Sequence, residues 1–298
     1  MKLEPECIGC LFNQILKAFS MIKPDISRET VISAQKRLME YLIKVDVNKT
    51  PAPILGAFTY NMIAEMLGLE DPYKNLKDKY NKLALEYHDE IEAIIKNSKD
   101  PLFEAIAVAA LGNTIDFATQ HEIAFINDIK NFSSKDFKIN DYNEFRASIK
   151  RINENNGQLL ILADNSGEIV FDKLLVETIK NFYPDLEIIV AVRSKPIIND
   201  ATIEDAQSIG LTDIVQVIES CPVPGIDLTN ATEEFKKYFY EKNGIILSKG
   251  QGNFETLYGM EIPNKEIYYL LKAKCVLMER IFKVNIGDLI FKKKTTGF

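Results

Sequence analysis

A chain of 298 residues that is 46% hydrophobic and 27% charged has the composition of a folded soluble protein, which excludes extensive disorder. Its formal net charge of −7 argues against a general nucleic-acid binder, because phosphate contacts need clustered Lys and Arg. No apolar run reaches the roughly 18 residues of a membrane span, and the start MKLEPECIGCLFNQ lacks the apolar stretch of a signal peptide, so a cytoplasmic location and no membrane partner are expected.

Up to about residue 131 the apolar spacing is helical throughout. Leu11, Ile15, Leu16, Phe19 and Ile22 share one face. Pro24-Asp25 ends that helix, and Ser27 with Thr30 offers a start to the next, which Val31, Ala34, Leu38, Tyr41 and Leu42 continue. Thr50-Pro51-Ala52-Pro53 is a turn; Leu55, Phe58, Ile63 and Leu67 mark a third helix, stopped at Gly68. Residues 73–96 predict one long amphipathic helix, and Asp100-Pro101 opens a very apolar one, LFEAIAVAALGNTIDFA. Residues 132–156 form a polar connector in which 142–153 can make one more helix.

From Gly157 the style changes. Strands over 159–163, 186–192, 214–218 and 244–248 alternate with helices over 168–182, 202–209 and 232–242. A fifth strand fits 267–271, a helix 275–282, and an edge strand 288–292. Such alternation predicts an α/β architecture, a mainly parallel sheet flanked by helices and preceded by an all-helical N-terminal region. The division expected is 1–131, 132–156 and 157–298.

Polar residues gather where these strands end, which is where open parallel sheets bind ligands. The first strand stops on Asp164-Asn165-Ser166-Gly167-Glu168, the second on Arg193-Ser194-Lys195, with Asn199-Asp200 beyond. The fourth stops on Lys249-Gly250-Gln251-Gly252-Asn253. Asp164, Asn165 and Asp200 are hard oxygen donors suited to Mg or Mn. Lys249 is a point charge of the kind that holds phosphate, and Gly250 lets backbone N–H groups approach an anion. This set suits metal-assisted phosphoryl transfer to water. Each piece also has a plainer reading: Asp-Asn-Ser-Gly and Asn-Asp as turns or helix caps, Lys-Gly-Gln-Gly-Asn as a glycine loop. Neither a P-loop nor a dinucleotide fingerprint is present.

The blocks ADNSGEIVFD at 163–172, VRSKPIINDAT at 192–202, SKGQGNFETL at 248–257 and GNTIDFA at 112–118 together resemble the family once called domain of unknown function 89, the metal-dependent damage-control phosphatases. The resemblance covers nearly the whole chain. It implies a helical region leaning on a Rossmann-like α/β domain, and metal ligands Asp164, Asn165 and Asp200. It further implies Lys249 on the substrate phosphate, with Asn113 and Asp116 reaching the pocket from the helical region. Arg193, Gly250 and Asn253 are further candidates for substrate contact, and Glu168 for orienting the ligands. Cys7-x-x-Cys10 and Lys274-Cys275 resemble one branch of that family, and raise a structural zinc or redox cluster of Cys7, Cys10 and Cys275, or else small buried hydrophobes.

The expected function is therefore hydrolysis of phosphate monoesters of small metabolites, sugar phosphates or damaged phosphometabolites, by metal-activated water. Asp164, Lys249 and Asp116 are the expected catalytic groups, and the cofactor is Mn, Mg, Co or Ni. A non-catalytic metabolite-binding protein or a methyltransferase are the alternatives; the latter lacks its glycine-rich loop after the first strand.

Overall fold

A computed structural model describes residues 1–112 and 136–295. The first three helices, α1 (Pro5–Ile22), α2 (Arg28–Lys44) and α3 (Ala52–Leu67), enclose a core of their own built on Leu11, Ile15, Phe19, Leu38, Leu55 and Ile63. Ser27 caps α2, its Oγ accepting the Thr30 N–H at 3.1 Å. Gly68 ends α3 in the left-handed region at φ 65°. Leu16 does not join its helical neighbours in the core and is exposed.

The single helix expected over 73–96 is two, α4 (Lys74–Glu86) and α5 (His88–Asn97). At Tyr87 the backbone opens to φ −97°, ψ −5°, and its N–H closes on the Ala84 carbonyl three residues back, a tighter turn that interrupts the α-helix. α4 touches the first core through Leu76, but α5 and α6 (Pro101–Gly112) do not extend it. Ile91, Ile95 and the alanine-rich run Ala105–Ala110 pack under the sheet instead. The described helices before residue 131 thus divide between two cores.

The sheet has seven strands in the order β1-β7-β6-β5-β2-β3-β4. They are β1 (Phe137–Asn140), β2 (Gln158–Leu162), β3 (Glu187–Val192), β4 (Gln216–Glu219), β5 (Gly244–Lys249), β6 (Lys265–Lys272) and β7 (Leu289–Lys293). All neighbours pair parallel except β6 and β7. The connecting helices are α7 (Tyr142–Glu154), α8 (Glu168–Phe182), α9 (Ile203–Ser208), α10 (Glu233–Tyr240), α11 (Gly250–Leu257) and α12 (Val276–Phe282). The architecture is the mixed α/β sheet expected, with helices on both faces.

Alternate residues of each strand feed opposite cores, as the period of two requires. Leu159, Ile161, Val190 and Leu247 pack against α6 and α8; Leu160, Leu162, Ile189 and Ile246 pack against α10, α11 and α12. Gly112 stands where α6 meets α8: a Cβ there would lie 2.7 Å from the Phe171 ring, too close for any side chain.

β1 lies within the segment expected to be a connector. Four residues long and at the sheet edge, it buries only Phe137, so it carries no apolar alternation to read. The described part of 132–156 is this strand and α7, both docked on the sheet. No described helix is long and apolar enough to cross a membrane.

Lys265, at the start of β6, is half-buried, and its Nζ meets no hydrogen-bond partner among the described residues. Burial pulls its ammonium down to about 8 from 10.5, with Lys242 adding to the effect and Glu187 opposing it. Below that value the folded state carries a charge it solvates poorly, and the penalty fades as pH rises from there toward the unfolded value. Lys265→Met is expected to raise unfolding free energy at pH 7 by about 1 kcal/mol, discounted for solvent access. Urea titrations should show the gain shrinking as pH rises toward 10.

Candidate active site

The chain leaves β2 toward β3 and β4 on one side, and β5 toward β6 and β7 on the other. β2 and β5 are neighbours, with Leu162 opposite Ser248. Their carboxyl ends therefore flank the switch point of the sheet, where a crevice must open. A cavity of about 360 Å³ lies there, lined by Asp164, Asp200, Gln251 and Gly252 from the sheet side and by Gln14 and Tyr60 from α1 and α3.

Two loops converge at its floor. Asn165 and Asp200 form an isolated antiparallel bridge, the Ser166 N–H donates to the Asn199 carbonyl at 2.8 Å, and the Ala201 N–H donates to the Asp164 carbonyl at 2.8 Å. Backbone pairing thus brings together three residues that lie 36 positions apart at the extremes, Asp164, Asn165 and Asp200. The Asn165 amide nitrogen donates to Asp164 Oδ2 at 2.8 Å and to Glu168 Oε2 at 3.1 Å. Those bonds fix the amide and reserve its oxygen for a cation. Gly250 has φ 76°, and a Cβ on it would overlap the Asp164 carboxylate. Only glycine permits this approach, which sets Asp164 against the first turn of α11, the favourable end of the helix dipole.

Arg193 spans the site from beneath. Its Nε donates to Asp200 Oδ2 at 2.7 Å, Nη1 to the Gly225 carbonyl at 2.7 Å and Nη2 to Asn253 Oδ1 at 3.0 Å. The Asn253 amide donates in turn to the Lys249 carbonyl at 2.8 Å and the Ala163 carbonyl at 3.2 Å. Both side chains are buried and fully engaged. Neither lines the cavity, and their bonds brace the strand ends. Lys249, expected on the substrate phosphate, is engaged inside the protein. Its ammonium is wholly buried, 2.6 Å from Glu168 Oε1 and also bonded to Asp172, and it does not line the cavity. Through Glu168 it supports Asn165.

Charge is out of balance here. Among the described residues, six buried carboxylates, Asp164, Glu168, Asp172, Asp200, Asp205 and Glu255, stand with three buried cations, Lys77, Arg193 and Lys249. Burial pushes the Asp200 carboxyl up, with Asp164 adding to it and Arg193 opposing. Asp172 is raised by burial as well, Glu168 adding and Lys249 opposing. Two carboxylates on the cavity wall, with the Asn165 amide bonded beside them, are donors of the kind that fits a hard divalent cation keeping some water. Among the described residues no three His, Cys, Asp or Glu side chains form a ready ligand cage. That includes Cys7, Cys10 and Cys275, which do share the cavity wall. Burial raises the Cys7 and Cys10 thiols, so they are not poised as thiolates. Cys221 is buried and structural: its Sγ accepts the Asp227 N–H at 3.3 Å. Asn113 and Asp116 lie outside the described residues.

Two features escaped the sequence. Asp205 knits both loops to the helical region: it accepts from Ser166 Oγ at 3.1 Å, the Thr202 N–H at 2.8 Å and the Asn81 amide at 2.8 Å, and pairs with Lys77 at 3.0 Å. Asn81 also accepts the Gly167 N–H at 2.6 Å. The capping box of Thr202 and Asp205 and the i,i+4 spacing of Lys77 and Asn81 were visible, but not their meeting. Lys274, noted only for its neighbour Cys275, is the basic side chain on the cavity wall.

Residues 3–290 match the family model described as the damage-control phosphatase ARMT1-like domain. The chain belongs to this family. A damage-control phosphatase of Pyrococcus horikoshii is 35% identical over 295 residues, covering 97% of each chain. One of Archaeoglobus fulgidus is 32% identical over 302 residues, covering 98% of this chain and 99% of the other. An uncharacterised protein of Methanocaldococcus jannaschii is 34% identical over 300 residues. The crystal structure of a Pyrococcus horikoshii member of domain of unknown function 89 overlays this fold with a TM-score of 0.86 at 29% identity, covering 99% of this chain and 100% of that one. Family membership and fold thus agree with the resemblance carried by the four sequence blocks.

Removing the Lys249 charge strands two buried carboxylates. Lys249→Met is expected to destabilise the fold by about 3–5 kcal/mol. Combining it with Glu168→Gln and Asp172→Asn should return most of that, as read by urea denaturation.

Proposed function

We propose that this protein is a metal-dependent phosphoric monoester hydrolase acting on small phosphorylated metabolites. The observation that carries the proposal is the meeting of Asp164 and Asp200 on the wall of one cavity at the switch point of the sheet, with Asn165 bonded to Asp164 and bridged to Asp200 beside them. The phosphatase names of the family relatives support the same reading.

Asp164, Asn165 and Asp200 are the residues to hold a divalent cation, Mn, Mg, Co or Ni. Bound there, it supplies the charge that polarises a phosphoryl oxygen and acidifies water. Glu168 keeps the Asn165 amide turned, and Arg193 keeps Asp200 in place. Gln251 and Gly252 present the first turn of α11 to the cavity, where backbone N–H groups can meet phosphoryl oxygens. Lys274 takes over the phosphate-facing role expected of Lys249, offsetting charge on the transferring group. In the reaction, a water oxygen bonds to phosphorus, the ester P–O bond breaks, and the alcohol leaves with a proton alongside inorganic phosphate.

Release of phosphate from p-nitrophenyl phosphate and a sugar-phosphate panel should require added Mn, Mg, Co or Ni and stop on chelation. Asp164→Asn and Asp200→Asn should each lower metal-dependent turnover about 100-fold or more. Turnover that survives chelation, or no turnover with any of the four metals, defeats the proposal.

A further inference from the structure

A second cleft, of about 600 Å³, opens beside the cavity that holds Asp164 and Asp200. The two share Gln14, Tyr60, Ile198 and Lys274 in their walls. Their chemistry is opposite. Glu6, Asp164, Asp200 and Glu255 line the first, with Lys274, whereas Lys17, Lys272 and Lys274 line the second and, among the described residues, no carboxylate does. In a chain with a net charge of −7, three lysines on one cleft with no acid among its described lining residues make a local positive field. Lys17 comes from α1, while Lys272 and Lys274 come from the end of β6, so the helical and sheet regions each contribute to it. Tyr60, Tyr73 and Tyr80 add hydroxyl-bearing aromatic walls.

The shared wall is itself unusual. Ile198 sits at φ 47°, a left-handed conformation that a β-branched residue adopts only under constraint. It lies two residues before Asp200, on the loop whose backbone bridges Asn165. Strain of this kind is kept where the surroundings hold the backbone in place. Here it shapes the passage between the acidic floor and the basic cleft.

We propose that the substrate is a phosphate ester with a second anionic group. The scissile phosphoryl lies by Asp164 and Asp200, the carbon backbone passes Ile198 and Tyr60, and the remote anion is held by Lys17 and Lys272. Lys274, on both walls, stands between the two charges. The inference rests on the phosphatase reading for which end is cleaved, but the cleft can be tested by binding alone. The remote group is a second phosphate or a carboxylate; lysine point charges accept either.

The test compares esters with and without the second anion. Fructose 6-phosphate is set against fructose 1,6-bisphosphate, and glycerol 3-phosphate against 3-phosphoglycerate, in hydrolysis and in calorimetric binding with Mn present. The doubly anionic member of at least one pair is expected to bind about tenfold more tightly, through KM more than kcat, with an advantage that shrinks as salt rises. Preference in the first pair assigns the remote group as phosphate, in the second as carboxylate. The double variant Lys17→Gln, Lys272→Gln should lose most of that advantage, and Lys17→Arg, Lys272→Arg should keep it. Wild-type binding with no preference in either pair, or a preference untouched by the Gln double variant, overturns the inference. Failure of every ester to be hydrolysed while the binding preference holds overturns the phosphatase reading and leaves the basic cleft supported.

Discussion

Buried negative charge is the constraint on which this structure turns. Among the described residues, six carboxylates are taken out of water, against three buried cationic side chains. Leaving such charge unpaired is costly enough that groups neutralise by binding protons when nothing else comes. The raised Asp172 and Asp200 carboxyls show that pressure directly. The three internal cations are each committed: Lys249 to Glu168 and Asp172, Arg193 to Asp200, Lys77 to Asp205 and Asp71. Of these carboxylates, Asp164, Asp200 and Glu255 line the cavity.

The fold exists in a form that concentrates this charge in one place. Reversal of strand order between β2 and β5 opens the crevice, and the bridge between Asn165 and Asp200 closes its floor. The helical region does more than cover it. α4 reaches in with Lys77 and Asn81 to hold Asp205 and the Gly167 N–H, so the two loops that carry the candidate ligands are anchored to a third element. α1 and α3 then supply the roof of the cavity. Site and fold share the same bonds, through Arg193 and Lys249.

Much of this was legible in the sequence because the strands are buried on both faces. Leu159 to Leu162 and Ile188 to Val192 read as continuous apolar runs, and the polar cluster after each one marks its carboxyl end. β1 was illegible for the opposite reason, since one buried Phe137 in four residues makes no pattern. The break at Tyr87 left the helical periodicity of 73–96 intact, so spacing could not show it. Within the site, residue type suggested function but not direction. Lys249, Arg193 and Asn253 have the chemistry of phosphate binders, yet their side chains point into the protein, where the partners lie tens of residues away in sequence. Lys274 and Asp205 went unnoticed because their significance comes from the elements they meet.

The central claim is that Asp164, Asn165 and Asp200 form one divalent-cation site. Electron paramagnetic resonance titration of the metal-free protein with Mn(II) tests it without reference to any substrate. The account predicts one bound Mn(II) per chain in the wild type and its loss when Asp164→Asn and Asp200→Asn are combined in a protein that remains folded. Binding of equal strength and stoichiometry in that folded double variant would contradict it.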